Sequence, residues 1–468
     1  MNQKNTYDKK AGRGFGYANA LLQFVNSTNG SYISFFITDV CMISAANLGV
    51  ISSVAGIATV AATFIWAIIL QYVNLKHGRY RGWLVILAVL ICVGFVGLYT
   101  NWGLSETASA ALLIAAYVLV NFGISGIGIA SMGLMTKVGN TATSRADILS
   151  FQNITHCVAR VISAAIVLPI VRIVGGSETA GIGYTFYFGV FSFITIFGYI
   201  YLSKVTKSHD PYDPNFKAGT VVKPKDMLRA VASNKDLLIL FVSNTAYDIL
   251  NICRVFSAVY FFRYIVGNME MYVLYNIIDP FGSAIGAAMS KFVVTKFDKT
   301  RVIFPLFLVN AAILAMIAVF VSLGIINGYL FITLAFLAGL INTIQRSYNS
   351  SLYMDCAEIS YNKTGEDITP VCVSLGSLPF KFAFSFSGTI VAAVLAATGY
   401  AAGEVLTDSA VRGIVLCYSI LPAIGLLIFA FSTRFLLKLD VKTIDRIMEE
   451  NAARKAAKQA ELESRSQN

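Results

Sequence analysis

Long apolar runs separated by short polar gaps dominate this chain. Twelve such runs can be recognised, and most of them exceed the roughly 20 residues that an α-helix needs to cross a bilayer. The pattern therefore predicts twelve membrane-spanning helices. The runs lie near residues 15–38, 47–73, 82–100, 107–135, 149–173, 184–203, 237–266, 272–294, 302–326, 328–352, 370–398 and 410–433.

The lysines and arginines fall almost entirely in every second gap between these runs. The intervening gaps, near residues 40–46, 101–106, 267–271 and 399–411, contain neither Lys nor Arg. Because basic loops stay on the cytoplasmic side of a membrane, we expect both termini to be cytoplasmic. The basic gaps carry Lys76, Arg79 and Arg81, then Lys137 and Arg145, then seven residues from Lys204 to Lys235, then Lys296, Lys299 and Arg301.

Composition supports this interpretation and removes several classes of function. The 468 residues are 56% hydrophobic and only 13% charged, which excludes an ordinary soluble globule. The net charge of +11 lies in short loops and in the tail, where contact with anionic lipid headgroups explains it without a nucleic-acid partner. The seven cysteines form no ligand cluster, and we find no phosphate-binding loop or nucleophile elbow. We therefore expect a multi-pass protein of the cell membrane with no metal, no cofactor and no enzymatic activity.

The longest polar interruption divides the apolar runs into six and six. It contains prolines that cannot continue a helix. Two six-helix bundles joined in this way are typical of transporters built from internal repeats. For the tail we favour a solvated helix or frayed end over a docking element, because it has no strong apolar face. The predicted units are a bundle at 1–203, a cytoplasmic loop at 204–235, a second bundle at 236–434 and a charged cytoplasmic tail at 435–468.

Polar residues recur at helical spacing inside several runs, which places them on one face of each helix. Such side chains either hydrogen-bond to neighbouring helices or line a polar cavity. Runs three, six, nine and twelve lack comparable stripes, as expected for helices that face lipid. Under the cavity interpretation the predicted substrate-binding residues are Asn19, Gln23, Asn26, Asn121, Ser125, Asn153, Asn251, Arg346 and Asn349.

Ionisable residues inside the runs are the strongest indication of a functional cavity. Each costs at least about 2.5–3.5 kcal/mol at the centre of a bilayer, so they must face water or pair with one another. The arginines either form ion pairs with the aspartates or hold an anionic substrate, since a guanidinium binds a carboxylate in bidentate fashion. The residues concerned are Arg160, Asp248, Arg254, Asp279, Arg346 and Lys381.

Several segments resemble the glycoside-pentoside-hexuronide:cation symporter family of the major facilitator superfamily, which contains the melibiose permease. Thr38-Asp39 closes the first helix as in that family, and Gly78-Arg79-Tyr80-Arg81-Gly82-Trp83 is similar to its basic loop after helix 2. Asn234-Lys235-Asp236 precedes helix 7, the run 260–267 ends it, and an acidic segment with Asp355 and Glu358 follows helix 10. Lys381 stands where the family has its helix 11 lysine. The resemblance implies an all-α major facilitator fold and alternating access around a midplane cavity.

The chain also departs from this family at positions that matter for coupling. Where the family's helix 2 carries two aspartates for the cation, this chain has Thr59 and Thr63. These threonines, with Gly56, share one helix face that is either a close-packing surface or part of an ion path. Lys381 consequently needs another counter-charge, and we predict a pair with Asp248, or failing that with Asp279. The predicted cation-coupling residues are Thr59, Thr63, Asp248, Asp279 and Lys381.

These observations favour secondary active transport of a small polar solute, namely a sugar, glycoside or sugar acid. We expect coupling to a proton rather than to sodium, because hydroxyls bring no charge and hard cations prefer carboxylate oxygens. We expect a monomer whose other partner is the lipid bilayer. The alternatives are a lysolipid-type transporter and a membrane sensor or structural protein that has lost coupling.

Overall fold

A computed structural model describes residues 8–73, 75–139, 142–212, 234–296, 299–364, 369–402, 406–437, 446–447 and 449–451. Apart from one isolated bridge between Leu75 and Gly78, these residues form helices, turns and short connections. The chain is therefore an all-α protein over its described part, as predicted.

Six long helices form the first half. Asp8 starts the first of them, because its carboxylate accepts hydrogen bonds from the backbone N–H groups of Lys10 (2.9 Å) and Ala11 (3.1 Å). Ser44 caps the second helix in the same way. The helices are α1 (Lys9–Phe35), α2 (Ala45–Tyr72), α3 (Arg81–Leu98), α4 (Glu106–Val138), α5 (Ala142–Gly175) and α6 (Gly181–Val205).

Six further helices form the second half. Asn234 and Thr407 cap the first and the last of them through their side-chain oxygens. The helices are α7 (Lys235–Tyr260), α8 (Met269–Lys296), α9 (Lys299–Ser322), α10 (Gly328–Thr364), α11 (Thr369–Ala397) and α12 (Asp408–Leu436).

All twelve predicted spans correspond to these helices. By length and apolar composition alone, ten of the helices within the described residues are able to cross a membrane. The other two, α1 and α8, are 27 and 28 residues long but carry the polar stripes that include Gln23 and Asp279. Their lower hydropathy therefore comes from the side chains that face the protein interior.

The two halves repeat one packing scheme. In the first half α1 packs on α5 and α6, and α3 packs on α4 and α6; in the second half α7 packs on α11 and α12, and α9 packs on α10 and α12. The first helix of each half also ends in a π-helical turn, at Phe36–Val40 and at Phe261–Ile265. Between the halves α1 meets α7, α2 meets α11 and α5 meets α8. These three contacts surround the space in which a central site can lie.

The start of the predicted central loop is tied to the first half. The buried carboxylate of Asp210 accepts hydrogen bonds from the backbone N–H groups of Tyr80 (2.8 Å) and Arg81 (2.9 Å). It also forms a 2.6 Å ion pair with Lys137. Residues 213–233, which make up most of the loop predicted at 204–235, lie outside the described residues.

The tail prediction needs a correction where the tail is described. Asn451 is only 1% exposed, and its side-chain amide donates to the backbone oxygen (2.9 Å) and the carboxylate (2.8 Å) of Glu358. Because α10 continues far beyond Arg346, its end presents polar groups that an amide of the tail can satisfy. This part of the tail is thus docked on α10 rather than solvated. Most of the predicted tail at 435–468 lies outside the described residues.

Candidate functional site

Two connected cavities lie inside the helix bundle. The central cavity has a volume of about 430 Å³ and is lined from both halves, by α1 and α5 and by α7, α8, α10 and α11. A second cavity of about 230 Å³ lies between α1, α4, α5 and α6, and shares Gln23 and Asn26 with the first. A larger groove of about 780 Å³ lies between α9 and α12, outside the contact of the two halves. The central cavity is therefore the candidate site.

Five of the predicted site residues line the central cavity. Gln23 and Asn26 come from α1, Asn251 from α7, Asp279 from α8 and Arg346 from α10. A sixth, Asn19, lies one turn before Gln23 and lines the smaller cavity. The shared helix face of Asn19, Gln23 and Asn26 thus follows one wall through both cavities.

Five other predicted residues lie away from both cavities. Asn121 and Ser125 are on α4, which packs on α2 and α3; its residues Ile124 and Ile127 line the smaller cavity, but Asn121 and Ser125 do not. Asn153 is exposed, whereas its neighbour Gln152 lines the smaller cavity. Thr59 and Thr63 of α2 complete this group. The side chain of Asn349, also predicted to bind substrate, lies outside the described residues.

The two threonines bond back to their own helix. Thr59 Oγ1 donates to the backbone oxygen of Ala55 (2.8 Å), and Thr63 Oγ1 donates to that of Thr59 (3.1 Å). One turn earlier, Gly56 lies against the backbone carbonyl of Ser385, where any side chain would collide. Gly56 thus packs closely on α11, whereas the cation-coupling role of Thr59 and Thr63 stays a prediction.

Asp279 joins three elements in the central cavity. Its Oδ2 atom is 3.5 Å from Arg160 Nη2 of α5, and its Oδ1 atom is 3.7 Å from Arg254 Nη2 of α7. The ion pair with Arg160 links the first half to the second. The interpretation of these arginines as partners of an aspartate is thus confirmed for the described conformation.

Asp248 forms the second ion pair of the site. Its Oδ1 atom lies 3.6 Å from Arg346 Nη2, and the guanidinium of Arg346 also lies 4.8 Å from the centre of the Phe380 ring. The Arg346 side chain remains 41% exposed and lines the cavity, whereas Asp248 is buried behind it. A solute in the cavity would therefore meet the guanidinium before the carboxylate.

Lys381 does not form the predicted pair with Asp248 or Asp279. It lies one turn before Ser385, whose backbone contacts Gly56 of α2, so it is on the face of α11 that packs on α2. The cavity-lining residues of α11 are instead Phe380 and Phe384. Within the described residues, Asp279 instead pairs with Arg160 and Arg254, and Asp248 pairs with Arg346.

Sequence analysis missed some of the lining residues. Phe380 and Phe384 form an apolar wall, and Gln152 adds an amide to the smaller cavity. Aromatic residues at this spacing look the same in sequence whether they face lipid or a cavity, so no pattern singled them out. In the sequence, Asn153 falls at the helical spacing of the polar stripe and its neighbour Gln152 does not, so Gln152 was not predicted to line a cavity.

A polar cluster closes one end of the central cavity. The buried Asp39 accepts hydrogen bonds from the hydroxyls of Tyr264 and of Tyr400, the latter at 2.9 Å, so the first half is bonded to the second. The Thr38 hydroxyl lies 2.9 Å from that of Tyr260 and also crosses the halves. We name Thr38, Asp39, Tyr260, Tyr264 and Tyr400 the Asp39 cluster.

Ion pairs surround the Asp39 cluster at the same end. Arg172 of the first half pairs with Glu270 of the second (2.5 Å), and Arg263 of the second pairs with Glu178 of the first (3.6 Å). The smaller cavity lies toward the opposite end, where α1 begins and α4 ends. The Asp39 cluster thus bonds the two halves together at one end, and the cavities extend toward the end at which α1 begins, which we name the termini side.

Comparison with known proteins places this architecture in a family. Residues 14–440 match the family described as "MFS/sugar transport protein". The uncharacterized symporter YjmB of Bacillus subtilis (strain 168) is 26% identical, with 87% of each chain covered. The inner membrane symporter YicJ of Escherichia coli (strain K12) is 22% identical over 96% of each chain. The isoprimeverose transporter of Lactiplantibacillus pentosus is 23% identical, covering 86% of this chain and 84% of its own.

Solved structures agree with the fold. The crystal structure of a D-xylose-proton symporter superimposes with a TM-score of 0.64 at 14% identity, and covers 90% of this chain and 94% of its own. This similarity concerns the fold alone, whereas the family match covers nearly the whole sequence. Two repeated six-helix halves around a polar cavity, together with that match, identify the chain. It belongs to the MFS/sugar transport family of the major facilitator superfamily and is a secondary transporter of the cell membrane, not an enzyme.

Proposed function

We propose that this transporter carries a small polar solute of the sugar class, namely a sugar, a glycoside or a sugar acid, together with a proton. The observation that carries the proposal is the central cavity of about 430 Å³, which has polar groups from both halves. Its volume is within the range of about 300–1,000 Å³ that small-molecule sites have. A solute held there contacts both halves at once, so its binding can change how they sit against each other.

The lining groups suit a polyhydroxylated solute. Asn26 and Asn251 each offer an N–H donor and a carbonyl acceptor, which match the two roles of a sugar hydroxyl, and Asn342 adds N–H donors while its side-chain oxygen accepts from Tyr247. Phe380 and Phe384 supply an apolar wall for the C–H face of a sugar ring. A relative in sequence is named as an isoprimeverose transporter, and a neighbour in fold is named as a D-xylose-proton symporter. Sugar recognition is the simplest function that uses both kinds of lining group.

The cavity argues against a lipid substrate. A lysolipid would place a long acyl chain in the site, but charged and amide side chains from five of its six helices project into it. Burying such groups against hydrocarbon without hydrogen-bond partners costs several kcal/mol, on the order of 2–7 for each group. A sensor that has lost transport would have no use for ion pairs that link the two halves through the site.

The available charges favour proton coupling over sodium coupling. Sodium is a hard cation that prefers several carboxylate oxygens, whereas Thr59 and Thr63 offer only neutral hydroxyls. Asp248 and Asp279 are paired with arginines, which leaves no free cluster of carboxylates for a sodium ion among these residues. A proton binds to a single carboxylate oxygen and needs no coordination shell, so we assign the coupled proton to one of these aspartates.

The test is uptake by proteoliposomes that contain the full-length protein. A panel of labelled neutral sugars, glycosides and sugar acids is offered with an imposed proton gradient or sodium gradient. At least one member should accumulate with the proton gradient and without sodium. Asn251→Ala should raise the KM for that solute tenfold or more, whereas the matched variant Asn121→Ala, outside both cavities, should not. Failure of the whole panel, or accumulation that strictly needs sodium, would contradict the proposal.

A further inference from the structure

The guanidinium of Arg254 is buried but incompletely satisfied. Its side chain is only 7% exposed, and its one ion pair, with Asp279, is longer than a normal hydrogen bond at 3.7 Å. Its Nε and Nη1 atoms are buried and have no hydrogen-bond partner among the described residues. A buried cation with unused donors is costly, so it marks a position at which an anionic group would bind favourably.

Asp279 stands between this arginine and a second one. Each of its carboxylate oxygens faces one guanidinium, Oδ1 that of Arg254 and Oδ2 that of Arg160. A substrate carboxylate could be held in the same way, with one arginine facing each of its two oxygens. Asp279 is 18% exposed to the cavity, so water and protons reach it.

We propose that Asp279 is an internal competitor for the anionic group of the substrate. Protonation of Asp279 releases Arg160 and Arg254, which then bind the carboxylate of a sugar acid. Each substrate anion therefore enters the site together with one proton. This inference rests on the proposed function and assigns to it a substrate class, an anion-binding pair and a proton site.

The charge balance explains why the two events are linked. Before binding, two guanidinium groups and one carboxylate give this cluster a net charge of +1. After a proton has added to an oxygen of Asp279 and one substrate carboxylate has bound, the net charge is again +1. Binding of the anion without the proton would bring two carboxylates together in a partly buried site, which like charges strongly disfavour. A neutral sugar adds no charge and requires no proton.

Other groups that face Asp279 are compatible with this assignment. His156 and Arg160 project from α5, and Arg254 projects from α7. Tyr275 belongs to α8 itself, and Tyr418 projects from α12 toward the same cluster. On α10 the facing residue is Gly339, at which an added Cβ would lie 3.2 Å from Asp279 Oδ1, and it carries no charge. His156 is the other side chain of this set that can accept a proton, so it needs its own control.

The first experiment measures binding of D-glucuronate to the purified full-length protein between pH 5.5 and 8, with methyl β-D-glucoside as the neutral probe. Because one proton is taken up with the anion, wild-type affinity for glucuronate should fall as the pH rises, by up to about tenfold per pH unit. Affinity for the glucoside should not depend on pH. Asp279→Asn should bind glucuronate more tightly at pH 8 and without the slope. His156→Gln and Asp248→Asn should retain the slope.

The second experiment measures transport of glucuronate in proteoliposomes. Asp279→Asn should exchange labelled for unlabelled glucuronate but should not accumulate it with a proton gradient. The double variant Arg254→Gln with Asp279→Asn removes one charge of each sign and should lose glucuronate binding. If Asp279→Asn does not fold, a wild-type slope for glucuronate that both His156→Gln and Asp248→Asn retain still assigns the proton to Asp279 by elimination, and a slope that either variant removes overturns the assignment.

The outcomes separate this inference from the proposed function. A pH slope for glucuronate that moves with His156→Gln, or persists in Asp279→Asn, overturns the role of Asp279. Binding and transport of neutral sugars but of no sugar acid overturns the inference and leaves the proposed function intact. Failure of every sugar and sugar acid overturns both.

Discussion

The Asp39 cluster should control how often the cavity opens away from the termini side. Asp39 belongs to the first half, its side chain is only 3% exposed, and the hydroxyls of Tyr264 and Tyr400 in the second half donate to it. Alternating access requires these bonds to break each time the gate opens. Tyr400→Phe removes one of them and keeps the aromatic ring that packs against Tyr260.

The size of the effect follows from the charge on the acceptor. A hydrogen bond to a charged group contributes about 1.5–3 kcal/mol, and each 1.4 kcal/mol changes an equilibrium tenfold. Loss of the Tyr400 hydroxyl should therefore raise the ratio of open to closed gates by about 10- to 150-fold. Loss of both hydroxyls, in Tyr264→Phe with Tyr400→Phe, should raise it further.

A single cysteine in the cavity can report this shift. Gly30 lines the central cavity, and a side chain added there would meet nothing within 4 Å. In a protein without its native cysteines, Gly30→Cys should react slowly with an impermeant maleimide added from the side of the Asp39 cluster. Tyr400→Phe should increase that rate tenfold or more, provided the closed gate dominates in the parent.

Tyr184→Phe is the matched control for this measurement. Tyr184 is buried near the same end, but its hydroxyl donates to the backbone oxygen of Glu178 within the first half. Its loss breaks no bond between the halves and should leave the rate unchanged. Equal rates in the Tyr400→Phe and Tyr184→Phe proteins would refute the idea that the cluster holds the halves together.

Three further predictions test the topology, the coupling ion and the interface of the halves. Single cysteines at Ser208 and Asn101 should react with impermeant reagents from opposite sides, cytoplasmic for the first and external for the second; labelling of both from one side would contradict the predicted orientation. Thr63→Ala should leave transport independent of sodium, and a sodium requirement that this variant abolishes would disprove the assignment. Gly56→Leu should force α2 from Ser385 of α11 at a cost of about 1–3 kcal/mol and increase labelling of the cavity from the gate side. Gly56→Ala adds only a Cβ, which also meets the Ser385 carbonyl, so it should give a smaller increase. Unchanged labelling in the leucine variant would show that this contact does not move.

The fold could be predicted because bilayer physics leaves few alternatives. Every span must satisfy its own backbone hydrogen bonds, so long apolar runs become helices, and their number follows directly from the sequence. The packing of α1 on α5 and of α7 on α11 carries no comparable signature. It depends on which small residues allow close approach, and Gly56 could be recognised as such a residue without indicating that α11 is its neighbour.

The site was only partly predictable, because helical periodicity gives a face but not a neighbour. The stripe of α1 faces the cavity along its length, and Gln23 and Asn26 were assigned correctly to its wall. Asn121 shows the same periodicity, yet α4 is an outer helix at that level and packs on α2 and α3. Depth along a tilted helix decides whether a polar face reaches the cavity, and depth depends on tertiary packing.

The same distinction explains the error about Lys381. The cost of an isolated charge in hydrocarbon required Asp248 and Asp279 to have cationic partners, and both have them. That cost does not say which cation is the partner. Arg254 and Arg346 project toward the aspartates and supply the opposite charge, each through one Nη2 atom. Lys381 is left on the α2 side of α11, and the aspartates hold the arginines in the cavity, where a substrate anion can compete for them.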